Sequence, residues 1–251
     1  MSEQDLAGKT ALITGGARGI GRAIAIKLAQ HGANIALNYL SRDEDALLSQ
    51  DLVAKEGTNC LLVKGDVSDP HCVEEIVTKT RERFGAIGIL VVNAAISIIE
   101  SHEDLSWETW KKIMSTNLDG AFLSIMAVKD EMLRNQYGRI LCLSSVAALR
   151  PRQRQIHYSA SKAAILALVR SCAEAFAPHV RVNGIAPGVI DTEMAATLGY
   201  QSIQSIIAAT PLGRLGQPDE VARVAYFLIS DQSSFMTGQT VAVCGGRVML
   251  P

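Results

Sequence analysis

The chain has 251 residues, of which 48% are hydrophobic and 20% are charged, proportions typical of a globular protein and unlike those of a disordered segment. This length suits one α/β domain of the larger kind. Lys and Arg number 24 against 25 Asp and Glu, so the sequence predicts no overall electrostatic attraction to nucleic acid or to an anionic membrane. A small molecule is the expected ligand.

The five cysteines are odd in number, scattered, and free of any Cys-x-x-Cys pair, so neither a metal site nor a redox pair is expected. The N-terminus has no basic region followed by an apolar stretch, and no window approaches 18 uninterrupted apolar residues. We therefore expect a cytoplasmic protein that is neither secreted nor embedded in a membrane.

Seven short runs rich in apolar and β-branched residues predict strands at 10–14, 34–38, 60–63, 89–93, 139–144, 180–186 and 240–244. Several of them are apolar almost throughout instead of alternating with polar residues. Such runs are typical of strands that helices cover on both faces. The pattern favours a parallel, doubly wound sheet.

Apolar residues at three- and four-residue spacing predict helices near 19–31, 43–56, 70–84, 106–136, 156–177 and 218–230. Pro70 and Pro218 suit helix starts, because proline is tolerated in the first turn. The chain contains no Gly/Ser-rich linker and no internal repeat. We predict one Rossmann-type α/β domain over residues 1–251, with about seven parallel strands and helices on both faces.

A glycine-rich turn follows the first predicted strand, where residues 14–21 read Thr-Gly-Gly-Ala-Arg-Gly-Ile-Gly. Glycine lets the backbone adopt left-handed angles and lets a pyrophosphate approach closely, and the amides at the start of the next helix can bind an anion. The sequence therefore predicts a phosphate-binding turn. A tight strand-to-helix turn without a ligand is the alternative.

Tyr158 and Lys162 lie four residues apart on a predicted helix, so both side chains project from the same face. A lysine ammonium beside a phenol is expected to lower the phenol's pKa from about 10 and so make acid/base catalysis feasible. Ser145 ends an apolar strand 13 residues before Tyr158, at the edge where ligands bind in open parallel sheets.

The Gly15-x-x-x-Gly19-x-Gly21 spacing, the Ser145 to Tyr158 spacing and the Tyr-x-x-x-Lys pair together resemble the short-chain dehydrogenase/reductase family. That family includes 3-oxoacyl-thioester reductases and sugar or alcohol dehydrogenases. The likeness extends from residue 8 to residue 246. It implies an NAD(P)-dependent oxidoreductase that interconverts a carbonyl and a secondary alcohol by hydride transfer.

The resemblance also assigns four catalytic residues. Tyr158 exchanges a proton with the reacting oxygen, Ser145 hydrogen-bonds that oxygen, and Lys162 holds the nicotinamide ribose. Asn117 matches an asparagine that kinks a long helix and positions a water near the lysine. A dinucleotide-binding regulator without catalytic activity is the alternative function, and it would tolerate loss of these residues.

Further cofactor contacts follow from the same resemblance, including an adenine-contacting pair after the third strand and a nicotinamide loop from 187 to 192. The predicted cofactor-binding residues are Gly15, Arg18, Gly19, Ile20, Gly21, Ser41, Arg42, Asp66, Val67, Asn93, Tyr158, Lys162, Pro187, Gly188, Ile190 and Thr192. Two positions depart from the family pattern. Ala95 replaces a glycine, so either local strain or a shifted cofactor contact is expected there, and Cys244 replaces a common aspartate.

NADP(H) is predicted to be preferred over NAD(H) because residues 37–42, at the end of the second strand, read Leu-Asn-Tyr-Leu-Ser-Arg and include no acid. An acidic residue at this place would bind a ribose 2′-hydroxyl and repel a 2′-phosphate. Arg18 and Arg42 can supply charge-assisted bonds to that phosphate. In the alternative, both arginines are solvated and NAD(H) is also used.

The substrate is left open among a 3-oxoacyl thioester, a sugar or polyol, and another small ketone. Residues 188–212 are predicted to form a mobile lid, with Met194 and Leu198 joining Ser145 and Tyr158 in contact with the substrate. The basic run at 150–154 could meet an anionic substrate, but the favoured interpretation is that its arginines are solvated or form a subunit contact. The resemblance implies a homotetramer, for which helices 106–136 and 156–177 are suitable interfaces.

Overall fold

The computed structural model describes residues 4–150 and 152–249, so Met1 to Glu3, Pro151 and the last two residues lie outside the description. Its strands are β1 Thr10–Ile13, β2 Asn34–Tyr39, β3 Cys60–Lys64, β4 Ile87–Val92, β5 Gly138–Leu143, β6 Val180–Pro187 and β7 Thr240–Val243. They form one sheet in the order β3-β2-β1-β4-β5-β6-β7, and every neighbouring pair is parallel. The predicted seven-stranded parallel sheet is confirmed.

Helices connect the strands as expected for a parallel sheet. They are α1 Gly19–Gln30, α2 Asp43–Ala54, α3 Pro70–Phe84, α4 Trp107–Met114, α5 Gly120–Arg134, α6 Ile156–Phe176, α7 Glu193–Ala196, α8 Tyr200–Ala208 and α9 Pro218–Ile229. The predicted proline starts of α3 and α9 are confirmed. Among the described helices, none combines the length and the apolar character needed to cross a membrane.

Two hydrophobic clusters lie on opposite faces of the sheet. On one face α1, α2 and α9 pack against the strands, with Ile24 and Val221 fully buried. On the other face α3, α5 and α6 pack, through side chains such as Ile76, Ile125 and Ile165. Burying one such side chain contributes roughly 1.5–3 kcal/mol. Coverage of both faces explains why the strand sequences are apolar without alternation.

The long helix predicted near 106–136 is interrupted. A π-helical turn, Ser115–Asp119, separates α4 from α5 and contains the buried Asn117. The next helix then begins at Gly120, where an added Cβ would lie 2.8 Å from Val67 Cγ2. The extra residue in this turn brings Asn117 inward while α5 stays close to the segment that follows β3.

The segment 188–212 contains two short helices, α7 and α8, which the sequence did not predict. Gly199, between them, has a φ of +77° and precedes α8. Both helices follow the carboxyl end of β6, so they lie beside the edge of the sheet at which the predicted site residues gather.

Candidate active site

Two cavities adjoin at the carboxyl ends of the strands. The small cavity has a volume of about 140 Å³ and the large cavity about 460 Å³. They share part of their lining, namely Ile20, Asn93, Ala95, Thr192 and Met194. Since strand order reverses between β1 and β4, helices leave this edge on opposite faces and a crevice opens there.

Hydrogen bonds from the end of β4 hold the glycine turn in place. The Asn93 side-chain amide donates to the backbone oxygens of Thr14, at 3.1 Å, and Gly15, at 2.8 Å. An added Cβ on Gly15 would lie 2.8 Å from Ala94 Cα, so only glycine fits at this approach. Asn38, a residue that the sequence analysis missed, accepts from Gly15 N at 3.4 Å.

The start of α1 suits a pyrophosphate. No side chain caps this helix, so the amides of its first turn remain available as donors, and Gly19 and Ile20 line the large cavity. Gly21 lines neither cavity. It faces the turn instead, where an added Cβ would lie 2.5 Å from Gly15 O. Gly21, predicted to bind the cofactor, therefore maintains the shape of the turn, whereas Gly19 and Ile20 line the cavity.

Two arginines converge on one carboxylate beside the large cavity. The Arg18 guanidinium pairs with Glu193, which opens α7, and Arg42 Nη2 lies 3.5 Å from the same Glu193 Oε2 atom. Arg42 has a left-handed backbone, with a φ of +71°, at the start of α2. Such strain in a non-glycine residue is common at binding sites. The two guanidinium groups can therefore share one anionic partner.

The absence of an acid at the end of β2 is confirmed, because Asp43 is the first residue of α2. Its carboxylate accepts from Lys64 Nζ at 3.0 Å and from the Tyr39 hydroxyl at 3.0 Å. Lys64 holds the pKa of the Asp43 carboxyl below its usual value. Three other residues that were predicted to bind the cofactor line the large cavity, namely Ser41, Asp66 and Val67.

Ser145, Tyr158 and Lys162 line the small cavity together. Ser145 follows β5 and accepts from Ala147 N at 3.1 Å, which fixes its side chain at the start of a short helical turn. Tyr158 lies in the first turn of α6 and Lys162 one turn later. The helical spacing therefore brings both side chains to the end of β5, as the sequence predicted.

The expectation that Lys162 lowers the pKa of Tyr158 is wrong for this arrangement. Burial raises the pKa of the Tyr158 phenol, and only the hydrogen bond with Ser145 and the charge of Arg152 oppose this rise. The lysine Nζ lies 5.9 Å from the tyrosine ring centre and donates to Leu143 O at 2.7 Å. Tyr158 is therefore a protonated phenol at neutral pH.

Lys162 is itself strongly affected by its surroundings. Burial lowers the pKa of its ammonium from 10.5 to about 8, and the nearby Cys142 opposes this effect. The residue is 3% exposed. Because an ammonium has three hydrogens and the Leu143 carbonyl accepts one, two remain for a ligand in the cavity.

Asn117 lies behind the cavities and lines neither of them. Its Oδ1 accepts from Ile96 N at 2.8 Å, and its Nδ2 donates to Ile96 O at 3.0 Å and to Ser161 Oγ at 3.1 Å. The Ser161 hydroxyl in turn donates to Tyr158 O at 2.8 Å. Asn117 thus joins the segment after β4 to the helix that carries Tyr158, a contact with Ser161 that the sequence analysis missed.

The remaining predicted residues gather at the small cavity, where the lining includes Pro187, Gly188, Ile190, Thr192, Met194 and Leu198. Among the described residues, Arg42 and Gln136 are the non-glycine residues with positive φ, so the strain expected at Ala95 is absent. Cys244 packs against this loop, because an added Cβ on Gly188 would lie 2.9 Å from its Cα atom.

The interpretation of the basic run at 150–154 is partly wrong. Arg150 and Arg154 are exposed as expected, but Arg152 is half-buried and lines the small cavity. Pro151, in the same run, lies outside the described residues. A backbone turn precedes α6 here, since Gln155 N donates to Arg152 O at 3.1 Å.

Polar contacts that the sequence analysis missed fix the wall between β4 and α6. Gln155 Nε2 donates to Ser97 Oγ at 2.7 Å, and both residues line the small cavity. His157 Nδ1 accepts from Tyr158 N at 2.7 Å, so in the neutral ring the hydrogen is on Nε2. That nitrogen lies 3.1 Å from Glu100 Oε1. The catalytic tyrosine candidate is therefore held from both sides of its backbone.

Residues 15–247 match the family model described as "Enoyl-(Acyl carrier protein) reductase". The chain is 37% identical over 245 residues to an L-rhamnose 1-dehydrogenase (NAD(P)(+)) of a Sphingomonas species, which covers 96% of each chain. It is 34% identical over 242 residues to a 3-oxoacyl-[acyl-carrier-protein] reductase of Staphylococcus aureus, which covers 96% of this chain and 98% of that one.

A solved structure is similar over the same extent. It is a short-chain type dehydrogenase/reductase from Mycobacterium marinum, 33% identical, with a TM-score of 0.93 and 98% of both chains covered. Sequence and architecture agree across nearly the full length of these proteins. The chain therefore belongs to the short-chain dehydrogenase/reductase family of oxidoreductases.

Proposed function

We propose that this enzyme interconverts a carbonyl and a secondary alcohol with NADP(H) as the preferred cofactor, and that Tyr158 is its general acid and base. The observation that carries the proposal is the meeting of Tyr158 and Ser145 in a small cavity that adjoins the uncapped start of α1. One end of the crevice thus suits a reacting oxygen and the other a pyrophosphate.

The chain's own residues act on the reacting oxygen. A nicotinamide bound at the junction of the cavities would supply the hydride for reduction or accept it in oxidation. In reduction, the Ser145 hydroxyl donates a hydrogen bond to the carbonyl oxygen and the Tyr158 phenol transfers its proton there. Burial keeps the pKa of Tyr158 high, so the phenol holds this proton at neutral pH.

Lys162 and Asn117 serve the same site in different ways. The two ammonium hydrogens that Leu143 O does not accept are assigned to the ribose hydroxyls beside the nicotinamide. Asn117 is a positioning residue, because it reaches the site only through Ile96 and Ser161. Pro187, Gly188, Ile190 and Thr192 are assigned to the carboxamide side of the cofactor.

The preference for NADP(H) is supported by charge. No acid ends β2, Asp43 is paired with Lys64, and Arg18 and Arg42 converge on one anionic atom. A 2′-phosphate can take the place of that atom, whereas a 2′-hydroxyl offers the arginines no charge. The L-rhamnose dehydrogenase is named for NAD(P)(+), so use of NAD(H) remains part of the proposal.

The proposal also includes a lid, an oligomeric assembly and a choice of substrate class. Residues 188–212 close over the crevice, since Met194 and Leu198 lie in the small cavity's lining. Exposed Phe122 on α5 and Ile156 on α6 support contacts in a homotetramer. For the substrate, the named relatives support both a 3-oxoacyl thioester and a sugar.

Tyr158→Phe should lower kcat by about 10² or more, because a general acid typically contributes this much and phenylalanine keeps the ring volume. The Kd for NADPH should change little. Tyr137→Phe is the matched control, since this tyrosine lies before β5 against Lys9 and Arg139. A near-normal kcat in Tyr158→Phe would show that the proton comes from another group.

Arg18→Ala and Arg42→Ala should each raise the KM for NADPH about tenfold and the KM for NADH much less, since a charged hydrogen bond is lost only with the phosphate. Arg223→Ala, whose exposed arginine pairs with Asp219 on α9, is the control. Steady-state kinetics with both cofactors on one substrate measure these values. A wild-type kcat/KM that favours NADH would contradict the preference.

The buried ammonium predicts a pH dependence of stability. The pKa of Lys162 is about 8 in the fold and 10.5 when free, so between these values the unfolded chain binds more protons. Lys162 therefore makes the cofactor-free protein more stable as pH rises above about 8. From pH 7.5 to 9.5, the unfolding free energy of the wild type should rise relative to that of Lys162→Met, which has no titrating group at this position. A constant difference would contradict the lowered pKa.

A further inference from the structure

The small cavity carries positive charge without a counter-charge. Its lining contains two charged side chains among the described residues, Arg152 and Lys162, and no carboxylate. The lysine has a partner, the Leu143 carbonyl at 2.7 Å. Within the described part of the chain, Arg152 forms no ion pair with a carboxylate and no side-chain hydrogen bond.

The charge of a second arginine increases this imbalance. Burial lowers the pKa of the Arg152 guanidinium, and the positive charge of Arg247 lowers it further. Arg247 follows β7 and lies against the lid, where its Nη1 donates to Ile206 O at 3.4 Å. Arg152 therefore faces the small cavity with a second guanidinium near enough to repel it, an arrangement that an anion would stabilise.

The position of Arg152 relates that anion to the reacting oxygen. Arg152 lines the same cavity as Ser145 and Tyr158, and its charge acts on the Tyr158 phenol. Both residues line one small cavity of about 140 Å³, so a single small molecule bound there can contact both. Guanidinium binds carboxylate through two parallel hydrogen bonds, which fixes orientation as well as affinity.

We propose that the substrate is a small oxo acid, or the matching hydroxy acid in the reverse direction, and that Arg152 binds its carboxylate while Ser145 and Tyr158 bind its carbonyl oxygen. The proposal rests on the proposed carbonyl reduction. In that reaction the carbon gains a hydride, the oxygen gains the Tyr158 proton, the C=O π bond breaks, and NADPH becomes NADP⁺. Arg152 takes no part in the bond changes and is a binding residue.

The test compares acids with uncharged amides of the same size, using the pairs 2-oxobutanoate and 2-oxobutanamide, acetoacetate and acetoacetamide, and levulinate and levulinamide. The wild type should show a kcat/KM at least tenfold higher for the acid in one or more pairs. Arg152→Gln should lower that acid-to-amide ratio about tenfold or more. Arg154→Gln, an exposed arginine of the same loop, should leave the ratio as in the wild type.

A binding measurement separates this inference from the proposed function. Calorimetry with 3-hydroxybutyrate and 3-hydroxybutyramide should show that the wild type binds the acid more tightly and that Arg152→Gln loses this difference. Reduction of the amides as fast as the acids, or an unchanged ratio in Arg152→Gln, would overturn the anion site and leave carbonyl reduction intact. Failure to reduce any carbonyl, with selective acid binding retained, would overturn the proposed function alone.

A second, independent observation concerns Glu193. Its carboxylate holds Arg18 and Arg42, the arginines proposed for the 2′-phosphate, and it belongs to α7 in the lid segment. Arg42 and Glu193 are about half exposed, so the ion pair can open without disturbing the core. We infer that Glu193 competes with the 2′-phosphate for both arginines, so that NADP(H) releases the start of the lid and NAD(H) leaves it clamped.

This inference also rests on the proposed cofactor preference, and fragment binding tests it without a substrate. Adenosine 2′,5′-bisphosphate and adenosine 5′-monophosphate are the probes. Glu193→Gln should increase the ratio of their affinities at least threefold in favour of the bisphosphate. Glu44→Gln is the control, because this exposed acid of α2 forms no ion pair with either arginine among the described residues.

The outcomes distinguish the two ideas. A ratio that is unchanged or reduced in Glu193→Gln would overturn competition by Glu193. The NADP(H) preference would be overturned if the wild type bound the bisphosphate no better than the monophosphate and Arg42→Ala gave the same affinity ratio. An equal increase in Glu44→Gln would assign the effect to overall charge and would also overturn the role of Glu193.

Discussion

The crevice depends on the hydrogen bonds by which Asn93 holds the glycine turn. Asn93 directly follows β4, and the turn directly follows β1, so the two neighbouring strands are joined where their helices diverge to opposite faces. With the turn fixed, the uncapped start of α1 points its amides into the large cavity. Ser145, after the neighbouring β5, and Tyr158, in α6, line the small cavity that adjoins this turn and shares Asn93 in its lining.

The crevice has two cationic sites, one beside the large cavity and one in the small cavity, and they differ in whether a carboxylate of the protein occupies them. At the outer end, Arg18 and Arg42 share the Glu193 carboxylate, which links the proposed lid to the proposed nucleotide pocket. At the inner end, Arg152 lacks such a partner among the described residues and lines the same cavity as the tyrosine. A protein anion thus fills one cationic site and leaves the other for a ligand. In the proposed function, the first site selects the cofactor and the second selects the substrate.

Much of the fold could be predicted from the sequence, because strands buried on both faces are apolar throughout and prolines mark helix starts. Local spacing also placed Tyr158 and Lys162 on one helical face. The resemblance implied a kink at Asn117, but its π-helical form could not be predicted, since it depends on the bonding of Asn117 to Ile96 across the fold. The same is true of Arg152, whose inward position depends on how the loop returns to α6, and of the raised pKa of Tyr158, which burial causes.

Isotope transfer tests the central claim most directly. NADPH carrying deuterium at one or the other prochiral position of nicotinamide C4 is supplied with a panel of oxo acids, sugars and ketones, and the alcohols are analysed by mass spectrometry. Hydride transfer within this crevice predicts deuterium on the carbinol carbon from one of the two positions only, because the cofactor is held in one orientation. Oxidation of NADPH without deuterium in any alcohol, or equal transfer from both positions, would contradict the account.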